Sequence, residues 1–230
     1  MRGDIFMRAL YFLQIDRMIT KMQGHLIWLF IMIAVILSFA QKNPYWGSLY
    51  MVFGSMILSS TPFTMNPANT YGFLLMLPAT VKDRVFGRFL YGLSLLLLTL
   101  FFGGLGTVLV CIVNHIELSS MILIFYIGVA ATALIMLSIQ YTIFYLVGEL
   151  KSQQVMGLIR MIPGFLLFIL GSIAMDILQE ESNSNLVFSF LTWINNHLFE
   201  CVLLVFLIAI LIFLAGIFIS VKIQKKRDFG

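Results

Sequence analysis

The sequence predicts an all-α, polytopic membrane protein with six transmembrane helices, and three observations predict it. Apolar residues make up 61% of the 230 and charged residues only 10%, where a soluble domain carries about a quarter charged. The mean hydropathy is +1.03, more apolar surface than a water-soluble core of this length can bury, so bilayer is the solvent. Six apolar runs approach or exceed the length of a span, at 26–40, 45–65, 86–113, 121–147, 157–177 and 198–221. With the amino terminus placed inside, thirteen of the fourteen Lys and Arg fall on the inner side, and Lys42 alone falls outside. That asymmetry is the positive-inside rule, and one span more or fewer would scatter the charges over both faces.

Taken in order, the chain begins with residues 1–23, read as an interfacial helix on the inner leaflet. Arg2, Asp4, Arg8, Asp16 and Arg17 are too much charge for a signal-peptide core, so this stretch is expected to belong to the mature protein. Ile5, Ala9, Phe12, Leu13 and Ile19 share a face, with Arg8, Asp16, Arg17 and Lys21 outside it. The basic charges suit anionic lipid. The first span is short unless it borrows from residues 22–25. The third and fourth can each run to about 40 Å at 1.5 Å per residue, so they tilt or project into water. Gly103 with Thr107, and Gly128 with Thr132, have the four-residue spacing that lets helix backbones approach.

The inner loop at 66–85 is the most informative stretch. Pro62 and Pro67 disrupt or end the second span. Asn69 or Thr70 caps a short helix that runs to Leu77, and Pro78 stops it. Thr80 with Asp83 three positions on is a capping-box pattern that starts a basic helix through Lys82, Arg84 and Arg88 into the third span. The result is a short apolar helix, a hard turn and a basic helix start. An apolar helix exposed to the cytosol requires a partner. The second inner loop, 148–160, carries Glu149 and Lys151. Outside, 178–197 holds Glu180 and Glu181 and then Phe188, Phe190, Leu191 and Trp193, read as a re-entrant or interfacial segment.

Catalytic patterns are missing from the sequence: it contains no phosphate-binding loop, no dinucleotide turn and no His-Glu-x-x-His. His25, His115 and His197 sit near separate membrane edges, and Cys111 and Cys201 have no metal spacing, so both are read as free thiols. No Asp, Glu, Lys or Arg lies at the middle of any span. Ion-coupled transporters keep such groups for relay, so energy for any transport is expected from another source.

The run Leu77-Pro78-Ala79-Thr80-Val81-Lys82-Asp83-Arg84-Val85-Phe86-Gly87-Arg88-Phe89-Leu90 resembles the membrane subunits of type-2 ABC exporters. Those proteins show a Leu-Pro, a Ser or Thr, a basic residue and a Gly-Lys-like pair before the third span, and Arg88 stands where the Lys is usual. The six-span plan, the amino-terminal helix and the length are similar too. Within the family the chain is most similar to small permeases of Gram-positive bacteria, such as phenol-soluble modulin exporters and bacteriocin-immunity exporters. It departs from the pattern in lacking the acidic residue often found before Leu77.

The resemblance implies a bacterial cell-membrane permease, not itself an enzyme, with both termini cytoplasmic. It implies a dimer of two permease copies or paralogues with two cytosolic ATPase chains; ATP and Mg bind to the partner ATPase, and this chain binds no cofactor, metal or nucleic acid. Asn69, Thr70, Tyr71, Phe73, Leu74, Met76, Leu77, Pro78, Thr80, Lys82, Asp83, Arg84 and Arg88, with Glu149 and Lys151, are the implied ATPase-docking (coupling) residues. Phe188, Phe190 and Trp193 are expected to form an outer gate. Phe and Met in the spans, including Phe101, Phe102, Met136, Met161, Phe165 and Phe168, suit an amphipathic peptide substrate. A non-transporting immunity or scaffold protein and a lipid-modifying membrane enzyme stay open as alternatives.

Overall fold

The computed structural model describes residues 44–63, 80–116, 120–148 and 196–228, with 10, 12–14, 16, 29, 31–33, 36, 39–40, 157–159, 161 and 193. All regular structure among them is helical. Helix α1 is Pro44–Ser59, followed by a 3-10 turn at Thr61–Phe63. Helix α2 is Val81–Val113, α3 is Ser120–Val147 and α4 is Leu198–Asp228. Three of them, α2, α3 and α4, are long and apolar enough to cross a membrane. The expected first and fifth spans lie largely outside the described residues.

Sequence chemistry sets the helix ends. Pro44 occupies the first position of α1, where a missing N–H costs nothing. The expected second span ran to 65, but α1 stops at Ser59. Pro62 has no N–H to offer the Leu58 carbonyl, and the Phe63 N–H turns back to the Ser60 carbonyl at 3.1 Å. Helix α2 begins at Val81, five residues before the expected span, because Thr80 caps it. The helix projects past the apolar run at that end. Helix α4 likewise continues seven residues beyond 221, through Lys222, Lys225, Lys226 and Arg227.

The helices pack as two pairs. Helix α1 lies against α2, and α3 lies against α4. Helices α2 and α3 run antiparallel: Thr107 of α2 shares a 2.7 Å hydrogen bond with Tyr126 of α3, and Gly92 meets Tyr141. Helices α3 and α4 run parallel. Ser138 Oγ donates to the Ile212 carbonyl at 3.1 Å, and further along both helices Arg227 Nη2 donates to the Leu146 carbonyl at 3.0 Å. Gly148 and Leu198 therefore lie at opposite ends of the bundle.

One end collects Phe63, Thr80, Gly148 and Arg227. Every described Lys and Arg is there: Lys82, Arg84, Arg88, Lys222, Lys225, Lys226 and Arg227. Pro44, His115, His197 and Glu200 lie at the other end. The charge asymmetry read along the chain is thus an asymmetry in space. Between the ends, Leu97, Phe101, Leu109 and Ile112 of α2 and Leu204, Leu211 and Phe218 of α4 are exposed, Phe218 at 75%. Apolar surface on this scale belongs in lipid.

Close helix approach falls at two glycines. A Cβ on Gly92 would lie 2.6 Å from Tyr141 Oη, and one on Gly216 would collide with Ser138 Oγ. Among the described residues the pair Gly128 and Thr132 meets no neighbouring helix, against expectation. Nothing lies within 4 Å of a Cβ at Gly128, and the exposed Thr132 hydroxyl donates back to the Gly128 carbonyl at 2.8 Å. Of the other expected pair, Gly103 and Thr107 are both buried.

The amino-terminal segment corrects one detail. Phe12 and Leu13, expected to face the inner leaflet, are buried, and Leu13 packs with Leu58, Tyr91 and Leu95. Asp16 was expected on the polar side, yet it is buried, 3% exposed. The face that holds Leu13 meets protein rather than lipid, so a polar neighbour on that face is enclosed as well.

Candidate functional site

The basic end is built from charged and capped helix termini, closed by side chains from neighbouring helices. Thr80 starts α2. Its N–H donates to Asp83 Oδ2 at 3.0 Å, its hydroxyl donates to the same oxygen at 2.8 Å, and the Asp83 N–H returns to Thr80 Oγ1 at 3.3 Å. This is the capping box that the sequence pattern predicted. Asp83 is 1% exposed, and among the described residues its Oδ1 has no hydrogen-bond partner. A carboxylate in the first turn also faces the positive end of the helix dipole.

The carbonyls left open where α1 stops are satisfied from α3. The Tyr141 hydroxyl donates to the Ser59 carbonyl at 2.8 Å, and Gln140 Nε2 donates to the Met56 carbonyl at 3.3 Å. Each such bond contributes about 1 kcal/mol net, while a buried carbonyl left bare costs about 1–3 kcal/mol. Ser55, Ser59 and Ser60 turn their hydroxyls back to carbonyls three residues earlier in the same last turns.

Phe63 is the centre of the cluster that follows. Its ring stacks on Phe144 at 4.7 Å and meets Tyr141 at 5.0 Å and Tyr145 at 5.3 Å edge to face. Phe89 of α2 joins through Tyr141 at 5.1 Å and Phe213 of α4 at 5.4 Å. Such pairs add about 0.5–1.5 kcal/mol each beyond the area they bury. The Arg88 guanidinium lies over the Phe63 ring at 4.6 Å and is 7% exposed. A desolvated cation on an aromatic face is worth about 2 kcal/mol. The four helices are therefore joined at this end by one aromatic cluster.

The end of α3 is closed by α4. Gly148 has φ +88, the left-handed conformation that ends helices, and its N–H donates to the Phe144 carbonyl at 2.9 Å. Arg227 packs its guanidinium directly on Gly148 while bonding the Leu146 carbonyl, so a side chain there would collide with it. A cation at a helix C-terminus is stabilising by about 0.3–1 kcal/mol.

The sequence-predicted docking residues thus divide. Thr80 and Lys82 are exposed and Arg84 is half-buried, whereas Asp83 and Arg88 are buried and hold the end together. Asn69, Thr70, Tyr71, Phe73, Leu74, Met76, Leu77 and Pro78 lie outside the described residues, as do Glu149 and Lys151. At the opposite end Trp193 is exposed at 54%, its ring 5.3 Å from His197, which meets Glu200 at 2.5 Å. Phe188 and Phe190 lie outside the described residues. Phe101, Phe102 and Met161 are exposed and Met136 is in the core, while Phe165 and Phe168 lie outside the described residues. Cys111 and Cys201 are free thiols. Sequence reasoning missed Phe63, Tyr141, Phe144 and Arg227. Pro62 was the available signal for Phe63, since a helix broken at a membrane edge needs partners for its carbonyls.

No curated protein and no solved structure matches this chain. A family model described as ABC-2 family transporter protein matches residues 14–225. That match runs from the amino-terminal segment, through the capped start of α2, to the basic turn of α4. The chain belongs to the ABC-2 family of transporter proteins.

Proposed function

We propose that this chain is the permease of an ATP-driven exporter and that residues 69–77 dock its ATPase. Family membership makes it a membrane subunit of an ABC transporter, working with ABC ATPase subunits. One observation carries the finer reading. Phe63 and Thr80, which flank residues 64–79 in sequence, both sit in the packed basic end, Phe63 inside the aromatic cluster and Thr80 at the capping box. A push on that segment passes to α1 and α2 through its ends, and to α3 and α4 through Phe144, Tyr141 and Phe213. This is what a lever for rigid-body tilting requires. Closure of the ATPase dimer on ATP and Mg supplies the push, and Glu149 and Lys151 meet the ATPase beside it.

The six-span plan fits the described helices. The parallel run of α3 and α4 is what a fourth and a sixth span would show, and the charge asymmetry supports a basic end on the cytoplasmic side; the membrane in this reading is that of a bacterial cell. The permease works as a dimer, homo- or heteromeric, and Phe188, Phe190 and Trp193 cover the outer exit. An amphipathic peptide is the proposed substrate.

The test is recovery of the ATPase with the permease. An aromatic anchor at an interface is worth about 2 kcal/mol or more, roughly thirtyfold in affinity. Phe73→Asp should strip the ATPase from the purified permease without lowering its melting temperature. Undiminished recovery with Phe73→Asp, Leu74→Asp and Met76→Asp would move docking to 148–160. Absence of any co-purifying ATPase with the wild type would favour an immunity or scaffold protein.

A further inference from the structure

Helices α2, α3 and α4 enclose a groove of about 430 Å³ whose lining is apolar throughout. On α2 it follows the stripe Phe86, Leu90, Leu93, Leu97 and Leu100, and Ala130 of α3 is part of its lining. From Phe86 to Leu100 the helix rises about 21 Å. That is about two-thirds of the ~30 Å thickness of a bilayer core, enough to take up a chain from one leaflet. The groove starts at the basic end and runs toward the middle.

Its mouth is charged on both sides. Lys82 stands one turn before Phe86 on the same stripe of α2, and it is exposed. On α4 the lining ends at Ile217, and Lys225, also exposed, lies two turns further along the helix. The nearest acidic group on α2, Asp83, is committed to the Thr80 cap, and Arg227 is turned to the end of α3. Two exposed lysines therefore lie beyond the lining, on the side of the groove that faces the basic end.

We propose that this groove binds the acyl chain of an anionic phospholipid from the inner leaflet, with its phosphate held between Lys82 and Lys225. Lysine at the membrane surface attracts anionic headgroups, and long basic side chains reach the interface from the end of a span. A second copy of the chain fits the groove less well. Two-fold packing brings a patch against itself, which would set these lysines against their own equivalents. The proposal rests on the orientation given above, but its test does not use the ATPase.

Native mass spectrometry of the full-length permease in detergent, titrated with dioleoyl phosphatidylglycerol or dioleoyl phosphatidylcholine, reads the site directly. Phosphatidylglycerol should be retained about tenfold more tightly, a difference of about 1.4 kcal/mol. Lys82→Gln with Lys225→Gln should bring it down to the level of phosphatidylcholine. Ala130→Phe, which fills the groove, should remove both lipids. Leu97→Trp does the same from the exposed rim and serves if Ala130→Phe fails to fold. Equal retention of the two lipids by the wild type, or a preference that survives loss of both lysines, would overturn the proposal. Leu97→Cys forming a disulfide-linked dimer in membranes would also overturn it, by placing a second copy in the groove. A failed Phe73→Asp experiment leaves each of these results standing.

Discussion

Replacing Gly92 by alanine separates tight helix packing from simple helix propensity, because the two predict opposite signs. In a helix interior the change favours folding by about 1 kcal/mol when nothing stands in the way. Here the new Cβ would lie 2.6 Å from Tyr141 Oη, 2.9 Å from its Cζ and 3.2 Å from Leu137 Cδ1. Tyr141 is fully buried between Phe63 and Phe89 and has no room to retreat. Overpacking of this kind costs about 1–3 kcal/mol. If the hydroxyl is pushed off the Ser59 carbonyl, the bare buried carbonyl adds about 1–3 kcal/mol. The net loss is then about 1–5 kcal/mol after the propensity gain, a melting temperature lower by several degrees for the detergent-purified permease. Gly106→Ala on the same helix is the control: nothing lies within 4 Å of its Cβ, so it should melt at or above the wild type. Tyr141→Phe removes the atom that the new methyl strikes first. The double variant should therefore lose less than the two single losses combined, by roughly 1 kcal/mol. A Gly92→Ala protein that melts at or above the wild type would refute the close contact between α2 and α3.

Three further outcomes follow from the basic end. Thr80→Ala removes the cap and should cost about 1 kcal/mol in thermal or denaturant unfolding, with Thr80→Ser nearly neutral; equal melting of all three proteins would show that the cap contributes nothing. Gly148→Ala forces a side chain into φ +88 and against Arg227, so it should lower the melting temperature. The loss should shrink in an Arg227→Ala background, and losses that simply add would mean the two do not touch. In intact cells a cysteine at His115 should react with an impermeant thiol reagent and a cysteine at Lys225 should not; the reverse pattern would invert the proposed orientation.

How much the sequence reveals depends on how local each cause is. The capping box was legible because Thr80 and Asp83 lie within one turn and bond to each other. The ends of α3 were legible because the apolar run and the helix coincide there. The end of α1 was not, since its open carbonyls find Gln140 and Tyr141 more than eighty positions along the chain. The glycines show the same limit. Gly128 with Thr132 and Gly216 look alike as small residues in apolar runs, and only the partner helix decides which one is a contact. Asp16 was misplaced because a helical wheel separates apolar from polar faces without saying whether lipid or protein covers the apolar one. Residues 69–77, the heart of the proposed docking site, rest on the chain's own punctuation by Asn69, Pro78 and Thr80.

The bond from Arg227 to the carbonyl of Leu146 also sets an order of assembly. At about 5–20 residues per second, the ribosome delivers Arg227 several seconds after it has finished α3. Throughout that interval the Gly148 turn lacks its guanidinium, and the notch that admits Gly216 beside Ser138 stays open. Until then Ser138 and the end of α3 lack these partners from α4. A chain that ends before residue 198 would leave Ser138 and the Gly148 turn without the contacts that α4 supplies.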